Sequence, residues 1–273
     1  MMAADTTAVV QKAQKTHHTT KVCSAALGRL LTAATFMGHL LKGKDDSVTL
    51  RINGGGPAGS VIAVGYSNGN VKGYIQNGDT ELPLNKKGKL DVGGAVGKDG
   101  FLTVMKDFGF GEPYVGQVPI VSGEIAEDIT GYYATSEQTP TVCALGVLVN
   151  PDKSIAVAGG FLIQLLPTAE DDMIDKVEKC LENIEPVTTM LAKGMTPEKI
   201  CRTVLDGIEL EVLGEYDTEY KCDCSKERVE KALLTSGKEA LEEMANDPIT
   251  ELTCHFCNKK YRFTPDDIRR LIE

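Results

Sequence analysis

The chain has 273 residues, of which 42% are hydrophobic and 25% are charged, and its formal net charge is −10. This composition is ordinary for a soluble globular protein, and an acidic chain repels the phosphate backbone of nucleic acids. No apolar segment of the signal-peptide type follows a basic start, and the longest apolar stretch, residues 23–41, contains Arg29 and His39. The sequence therefore indicates a cytosolic protein and excludes nucleic acid and membrane as expected partners.

The first two-thirds of the sequence mixes helix and strand patterns. Residues 23–41 are rich in alanine, leucine and methionine and predict a helix that is buried on most sides. Residues 47–53 alternate as a half-buried strand does, and the segments 61–66 and 71–76 flank an Asn-Gly pair, which is a strong hairpin signal. Further strands are predicted at residues 101–106, 115–121, 142–149 and 154–166.

A short helix is predicted between two of these strands. Ser122 is its expected N-terminal cap, and Tyr133 lies near its end. Neighbouring strands with hairpin links and interspersed helices indicate an α+β fold, with a mainly antiparallel sheet core and helices packed on it.

After Pro167 the pattern changes to a string of short amphipathic helices. The first is predicted to end at Pro186, the second at Gly194, and the third runs from Thr196 to Gly207. Helices of this length are not stable in isolation, so we expect them to pack on the N-terminal sheet. Thr168 is the predicted cap of the first of them. The acidic run 209–219 is expected to be a linker into the segment that follows.

Four of the eight cysteines stand singly among apolar neighbours, and four stand in two close pairs. In a cytosolic chain, cysteines are reduced thiols or metal ligands more often than structural disulfides. The single ones are predicted to be small buried hydrophobic residues. They are Cys23, Cys143, Cys180 and Cys201.

The paired cysteines predict a zinc site. Cys222 and Cys224 form one pair, Cys254 and Cys257 the other, and a tetrahedral Zn²⁺ takes four such thiolates. Ser225 is expected to cap a helix between the pairs, and a strand at 249–253 returns the chain to the site. The segment has too small a core to fold alone, so a metal is expected to stabilise it. His255 is not needed, because four thiolates complete the coordination shell.

The spacing of the first pair leaves two interpretations of the site open. Most four-cysteine sites are structural, but only Asp223 separates Cys222 from Cys224, whereas ordinary zinc ribbons have two or more intervening residues. Zinc-bound thiolates are the species that oxidants attack, and these two are sequence neighbours that can bond once the metal leaves. A structural ribbon and a redox switch both fit the residues.

Three domains are predicted from these boundaries: an α+β core at 1–166, an all-helical linker packed on it at 167–215, and a small zinc-binding domain at 216–273. No motif in them supports catalysis, so the chain is not expected to be an enzyme. The glycine-rich stretch 53–59 lacks the Lys-Ser/Thr of a phosphate loop and is predicted to be a tight turn between strands. His17 and His18 are predicted to lie in a polar, mobile N-terminal stretch.

The cysteine segments and several upstream blocks resemble one family. Cys222-Asp-Cys-Ser-Lys-Glu-Arg-Val229 and Cys254-His-Phe-Cys-Asn-Lys-Lys-Tyr-Arg-Phe263 resemble the redox-switch domain of the heat-shock chaperones called 33 kDa chaperonin. The order of the upstream blocks matches as well. They are Ser24-Ala-Ala-Leu-Gly-Arg29, Gly54-Gly-Gly-Pro57, Gly73-Tyr74, Ser122-Gly-Glu124, Ser136-Glu-Gln138 and Ala158-Gly-Gly-Phe-Leu-Ile-Gln-Leu-Leu-Pro167.

The resemblance extends from about Asp5 to the end, with one departure at the start. Family members usually carry a segment with a first strand ahead of the part that matches residues 5–7, where this chain has Met1-Met-Ala-Ala4. We therefore expect either a truncated or misassigned start or a sheet that lacks an edge strand.

The resemblance implies an ATP-independent holdase that acts under oxidative stress. Such a protein binds unfolding client proteins and prevents their aggregation; it is inactive when reduced and holding one Zn²⁺ per chain. Oxidation would form the disulfides Cys222–Cys224 and Cys254–Cys257 and release the zinc, the helical linker would loosen and expose apolar surface, and the oxidised form would be a homodimer.

Two other classes of function are considered. A zinc-ribbon nucleic-acid or translation-associated factor is disfavoured by the charge of −10 and the sparse basic clusters. A thiol oxidoreductase normally places its Cys-x-x-Cys at the start of a helix in a βαβ unit, which the sequence around residues 250–263 does not resemble.

Overall fold

The structure, a computed structural model, describes residues 1–166, 169 and 171–272. Its strands are β1 (Met2–Asp5), β2 (Ser47–Gly55), β3 (Val61–Tyr66), β4 (Asn70–Ile75), β5 (Gly97–Asp107), β6 (Tyr114–Pro119), β7 (Thr141–Val149), β8 (Ile155–Gln164), β9 (Glu219–Tyr220), β10 (Thr250–Thr253) and β11 (Lys260–Phe263). Its α-helices are α1 (Thr7–His17), α2 (Lys21–His39), α3 (Val92–Val96), α4 (Ala126–Tyr132), α5 (Asp171–Leu181), α6 (Val187–Ala192), α7 (Pro197–Val204), α8 (Lys226–Leu234), α9 (Lys238–Met244) and α10 (Pro265–Ile272).

The strands form three sheets, which confirms the predicted α+β class. One sheet has the order β6-β5-β2-β3-β4-β9, one has the order β1-β8-β7, and β10 and β11 form a two-stranded sheet. Every described pairing is antiparallel except that of β9 with β4. The chain divides into two compact units, Met1–Tyr220 and Lys221–Glu273. The three-part division at residues 166 and 215 remains a prediction.

Helix α2 is the centre of the first unit. It contacts β2, β3 and β4 of the larger sheet and β7 and β8 of the three-stranded sheet, so its side chains are buried on nearly every side. Small residues make this possible, because a methyl group at Gly65 of β3 would overlap the carbonyl oxygen of Ala34 in α2. The predicted buried helix at 23–41 is therefore confirmed in type and place, and the described residues contain no helix long and apolar enough to span a membrane.

The predicted cap of the short helix after β6 was wrong. Helix α4 begins at Ala126 instead of at Ser122, and Asp128, which is 1% exposed, satisfies the backbone that precedes it. The carboxylate of Asp128 accepts hydrogen bonds from the N–H groups of Val121 (2.8 Å), Ser122 (3.0 Å) and Ile125 (2.8 Å). A buried carboxylate collects several donors more effectively than a serine hydroxyl, so the turn forms ahead of the helix.

The N-terminal predictions also need correction. Residues 2–5 form β1, which pairs with β8 from Met2 opposite Leu162 to Asp5 opposite Gly159, so the three-stranded sheet does have this edge strand. His17 is not in a mobile stretch, because it ends α1 and its Nε2 lies 2.9 Å from the hydroxyl of Tyr220. Both features depend on contacts with residues more than 150 positions away, which local sequence patterns do not encode.

Helices α5, α6 and α7 cover the outer face of β8. Leu162 faces the α2 core, while its neighbours Phe161 and Ile163 belong to a second apolar cluster. That cluster includes residues of all three helices: Val177, Val187, Met190, Leu191, Ile200 and Val204. Two of the predicted ends hold, since Gly194 and Gly207 adopt positive φ after α6 and α7. Helix α5 ends at Leu181 instead of Pro186, which precedes α6, and Pro167 and Thr168 lie outside the described residues.

The second unit packs short helices on the β10–β11 hairpin. Its core consists of Leu233, Leu241, Ala245, Tyr261, Phe263 and Ile268. Ser225 caps α8, as predicted, by accepting a hydrogen bond from the N–H of Arg228 (3.3 Å), and Gly237 interrupts the helix before α9. Glu251 on β10 pairs across the hairpin with Lys260 (2.7 Å) and Arg262 (2.9 Å) on β11. A core of this size is one that metals or disulfides often supplement in small domains.

Candidate metal centre

The two cysteine pairs meet in the second unit. The sulfur atoms of Cys222, Cys224, Cys254 and Cys257 all lie within 4.8 Å of one another, and each residue is partly buried. Among the described residues this is the group suited to a metal ion, and His255 is not part of it. The structure therefore brings together the four residues that the sequence predicted to be the metal ligands.

The spacing of the sulfurs fits a tetrahedral metal ion. Zn–S bonds of about 2.3 Å place the corners of a tetrahedron about 3.8 Å apart. The Sγ atoms of Cys222 and Cys254 are 3.7 Å apart, and those of Cys224 and Cys257 are 3.4 Å apart. All eight cysteines are free thiols. The four cysteines are thus placed to hold a metal ion, and a set of four soft sulfur donors suits Zn²⁺.

Local backbone geometry positions each pair. After Cys254 the chain turns tightly, because the carbonyl of Cys254 accepts from the N–H of Asn258 (2.8 Å) and its own N–H donates to the carbonyl of Lys259 (2.9 Å). Asn258 adopts φ 58°, the left-handed region that asparagine tolerates. The first pair is held by Arg228, whose guanidinium forms an ion pair with Asp223 between the two cysteines.

Hydrogen bonds to the sulfurs tune the site. The hydroxyl of Tyr261 donates to the Sγ of Cys224 at 3.1 Å. Burial raises the pKa of the Cys224 thiol, but hydrogen bonds from Tyr261 and from the neighbouring cysteines outweigh burial and lower this pKa to about 7. At Cys222 and Cys257 burial raises the thiol pKa. The bond to sulfur in turn raises the pKa of Tyr261, which keeps its proton to donate.

The isolated cysteines have a different character. Burial raises the pKa of Cys143 to about 12 and also raises the pKa values of Cys23 and Cys201. These three side chains therefore remain protonated thiols at neutral pH, the less reactive form. Cys23 is buried as predicted, whereas Cys143 and Cys201 are only partly buried. Cys180 is half-buried, and its thiol contacts the carbonyl of Asp206 at 3.3 Å.

The sequence interpretation missed Tyr261 and Arg228 as supporting residues. A signal for Tyr261 was available, since Tyr261 and Phe263 alternate with charged residues on β11 and point to the core side of the hairpin. The contact of Arg228 with Asp223 follows from the start of α8 at Lys226, two residues after Cys224, which is less evident from residue types.

Tyr261→Phe is expected to lower zinc affinity about 10- to 100-fold, because it removes a hydrogen bond to a ligand sulfur while keeping the ring in the core. Competition of the reduced protein with a chromophoric chelator measures the affinity. Tyr216→Phe, at an exposed tyrosine of the first unit, is the matched control. Equal affinities for the Tyr261→Phe variant and the unmodified chain would show that the hydroxyl does not support the site.

The protein is of the class that joins an α+β unit to a small unit with four cysteines placed to hold a metal ion. The sequence matches the family described as Hsp33 protein over residues 1–264, and the chain belongs to that family.

Relatives and a solved structure agree over nearly the whole chain. The 33 kDa chaperonin of Clostridium beijerinckii is 50% identical over 273 residues, covering 100% of this chain and 93% of that protein. The 33 kDa chaperonin of Clostridium perfringens is 52% identical over 275 residues, covering 100% of this chain and 87% of that protein. The crystal structure of the Thermotoga maritima 33 kDa chaperonin (heat shock protein 33 homolog) matches with a TM-score of 0.87 at 37% identity, covering 97% of this chain and 90% of that chain. The family and the names of these relatives support assignment of this chain as a chaperone.

Proposed function

We propose that the chain is a redox-regulated, ATP-independent holdase that binds unfolding proteins and prevents their aggregation under oxidative stress. It is inactive while Cys222, Cys224, Cys254 and Cys257 are reduced and hold one Zn²⁺. The observation that carries the proposal is the convergence of these four sulfurs, from two separate segments, in a unit with a small core. The protein acts in the cytoplasm by binding its clients, without turning over a substrate.

The metal explains how so small a unit stays folded. When bound, Zn²⁺ keeps the four sulfurs as thiolates and joins the segment before α8 to the turn after β10. Around it, Tyr261 and Arg228 orient the ligands, and the apolar core excludes water from one side of the site. A unit that relies on such a crosslink loses most of its stability when its ligands are no longer available.

Oxidation of the cysteines removes those ligands. We propose the pairs Cys222–Cys224 and Cys254–Cys257. In each pair the two thiolates give up two electrons as the disulfide forms, and one molecule of hydrogen peroxide takes these electrons and two protons from solvent to become two molecules of water. The pairing within each segment follows the family resemblance and the short sequence spacing. In the reduced protein all four sulfurs lie within 4.8 Å of one another, and contacts also run between the segments, from Cys222 to Cys254 (3.7 Å) and from Cys224 to Cys257 (3.4 Å). Disulfides within each segment would therefore no longer link the two segments to each other.

We propose that clients bind the surface that helices α5, α6 and α7 cover. These helices belong to the predicted linker segment 167–215. These helices have 11, 6 and 8 residues, which is short for independent stability. Once undocked, they would expose Phe161 and Ile163 on β8 as well as their own apolar faces. A contiguous apolar surface of this kind binds other non-native chains, and in the oxidised form it also favours a homodimer.

A light-scattering assay on a thermally unfolding client tests the function. The reduced, zinc-loaded protein is expected to leave aggregation unchanged, and the same protein treated with peroxide at mildly raised temperature is expected to suppress it. Addition of a thiol reductant and Zn²⁺ should restore the inactive form. Equal protection by reduced and oxidised protein would refute redox regulation, and no protection by either would refute the holdase.

A further inference from the structure

Strand β9 occupies the edge of the six-stranded sheet in an unusual way. It has two residues, Glu219 and Tyr220, and it pairs in parallel with Asn70 and Val71 of β4 in a sheet whose other pairings are antiparallel. At its start, the N–H of Glu219 donates to the carbonyl of Gly69 (3.4 Å), and the hydroxyl of Thr218 donates to the same carbonyl (2.9 Å). The pairing covers two residues of each strand, and the side chain of Tyr220 adds to it.

Tyr220 is an anchor that replaces missing strand pairing. Its ring is 6% exposed and belongs to the main core of the first unit. Its hydroxyl donates to the carbonyl of Gly73 (2.7 Å), accepts from the N–H of Gly73 (3.5 Å) and lies 2.9 Å from Nε2 of His17. A single phenol thus satisfies the outward N–H and C=O groups of one residue of β4, which a neighbouring strand would otherwise do.

The chain before this anchor is loosely held. Residues 209–217 have no regular structure and are exposed or only partly buried. Tyr220 stands two residues before Cys222 in the sequence. The anchor therefore stands between a segment without regular structure and the proposed switch, and the contacts that hold it include the Tyr220 side chain, two residues of backbone pairing and the Thr218 hydroxyl bond to Gly69.

We propose that the place of β9 on β4 is a binding site for an extended segment of an unfolded client that carries a tyrosine. This deepens the proposed function and rests on it. Strand β9, which fills the site in this structure, shows what the site accepts: a short extended backbone with a tyrosine side chain at one position. Backbone pairing at a sheet edge does not depend on sequence, while a pocket for one side chain adds selectivity. Unfolded chains of many sequences offer this combination.

The resting protein closes this site with its own chain. A tethered segment competes at a high effective concentration, so clients are excluded while β9 stays bound. When β9 leaves β4, the freed residues gain more conformational entropy if the second unit is already unfolded, because a folded second unit would restrict their motion. Unfolding of the second unit on oxidation would therefore weaken the binding of β9 to β4.

The test uses a fluorescein-labelled peptide with the sequence of residues 215–221, Glu-Tyr-Asp-Thr-Glu-Tyr-Lys, and a control peptide with alanine in place of the tyrosine that corresponds to Tyr220. Fluorescence anisotropy should show binding of the first peptide to reduced Tyr220→Ala at least about ten-fold tighter than to the reduced unmodified chain, since the variant no longer occupies its own site. The control peptide should bind neither protein more tightly.

The oxidised unmodified chain provides a second measurement that does not depend on the folding of a variant. It should bind the first peptide, and an excess of this peptide, but not of the control peptide, should weaken its protection of an aggregating client. If the oxidised chain protects clients but neither it nor Tyr220→Ala binds the peptide, the site at β4 is refuted and the holdase stands. If the oxidised chain protects no client, the proposed function fails and the assignment of this site to clients fails with it.

Discussion

Replacement of Cys224 by serine is expected to make the reduced protein an active chaperone. The change removes one of four converging sulfurs and the acceptor of the Tyr261 hydrogen bond. Structural zinc contributes about 10–16 kcal/mol to the folding of small domains, so loss of one ligand leaves the second unit without its main stabilising crosslink. We expect zinc affinity to fall by more than the roughly 100-fold effect of losing a supporting hydrogen bond.

Zinc stoichiometry, hydrogen exchange of the segment 221–272 and client light scattering measure the three expected consequences in one preparation. The matched control is Cys180→Ser, since Cys180 lies outside the metal centre and a serine hydroxyl can keep the contact with the carbonyl of Asp206. The control should retain zinc and remain inactive until oxidised. A Cys224→Ser protein that holds zinc tightly and stays inactive would show that the ligand assignment is wrong.

Ile200→Asp is expected to activate the protein without removing its metal. Ile200 is fully buried in the cluster that joins α7 to β8. Truncation of such a side chain costs about 2–5 kcal/mol, and burial of a carboxylate in its place adds to the cost. Because this cluster is separate from the α2 core, the helices should undock while the sheets remain folded.

Thr203→Asp is the control, since it adds the same charge to an exposed position of the same helix. Reduced Ile200→Asp should suppress client aggregation with one zinc still bound, whereas reduced Thr203→Asp should not. This result would show that the client surface lies beneath the helices. It would also show that undocking of the helices, which normally follows metal loss, is enough to expose it. An Ile200→Asp protein that is folded, loses its helical docking by hydrogen exchange and still protects no client would contradict the proposed surface.

Local patterns in the sequence predicted those elements whose structure depends on near neighbours. The long apolar stretch of α2 favours a buried helix, the alternation in β2 favours a half-buried strand, and the Asn-Gly pair between β3 and β4 favours a hairpin turn. The packing of the first unit is compatible with all three. The glycine-rich stretch 53–59 begins in β2, which ends at Gly55, and its remaining residues connect β2 to β3, in line with the predicted turn between strands. In these cases local preference and tertiary environment agree.

Elements that depend on distant contacts were predicted poorly. Strand β1 is defined by its register with β8, and α1 is tied at its end to Tyr220, so neither has a strong local signal. The Ser122 cap was wrong because Asp128, six residues ahead, accepts the same backbone donors. Local residue preferences cannot tell whether Ser122 or Asp128 accepts these hydrogen bonds, because the burial of Asp128 depends on the whole fold.

The candidate site was predictable because thiolate chemistry is so restrictive. Few arrangements other than a metal centre accommodate two close cysteine pairs in a reduced chain, so residue type and spacing selected the four cysteines whose sulfurs the structure brings together. The residues around them were not identified, since Tyr261 acts through a hydroxyl position that is set by the hairpin. The edge site at Tyr220 likewise follows from three-dimensional contacts alone.

A peroxide titration that counts thiols, free zinc and client protection together tests the central claim most directly. The account predicts that reduced protein binds one zinc per chain, that four thiols disappear as the zinc is released, and that protection of the client rises in proportion to the released zinc. Mass spectrometry should locate the lost thiols at Cys222, Cys224, Cys254 and Cys257. Full client protection while zinc remains bound and all eight cysteines remain thiols would contradict the account.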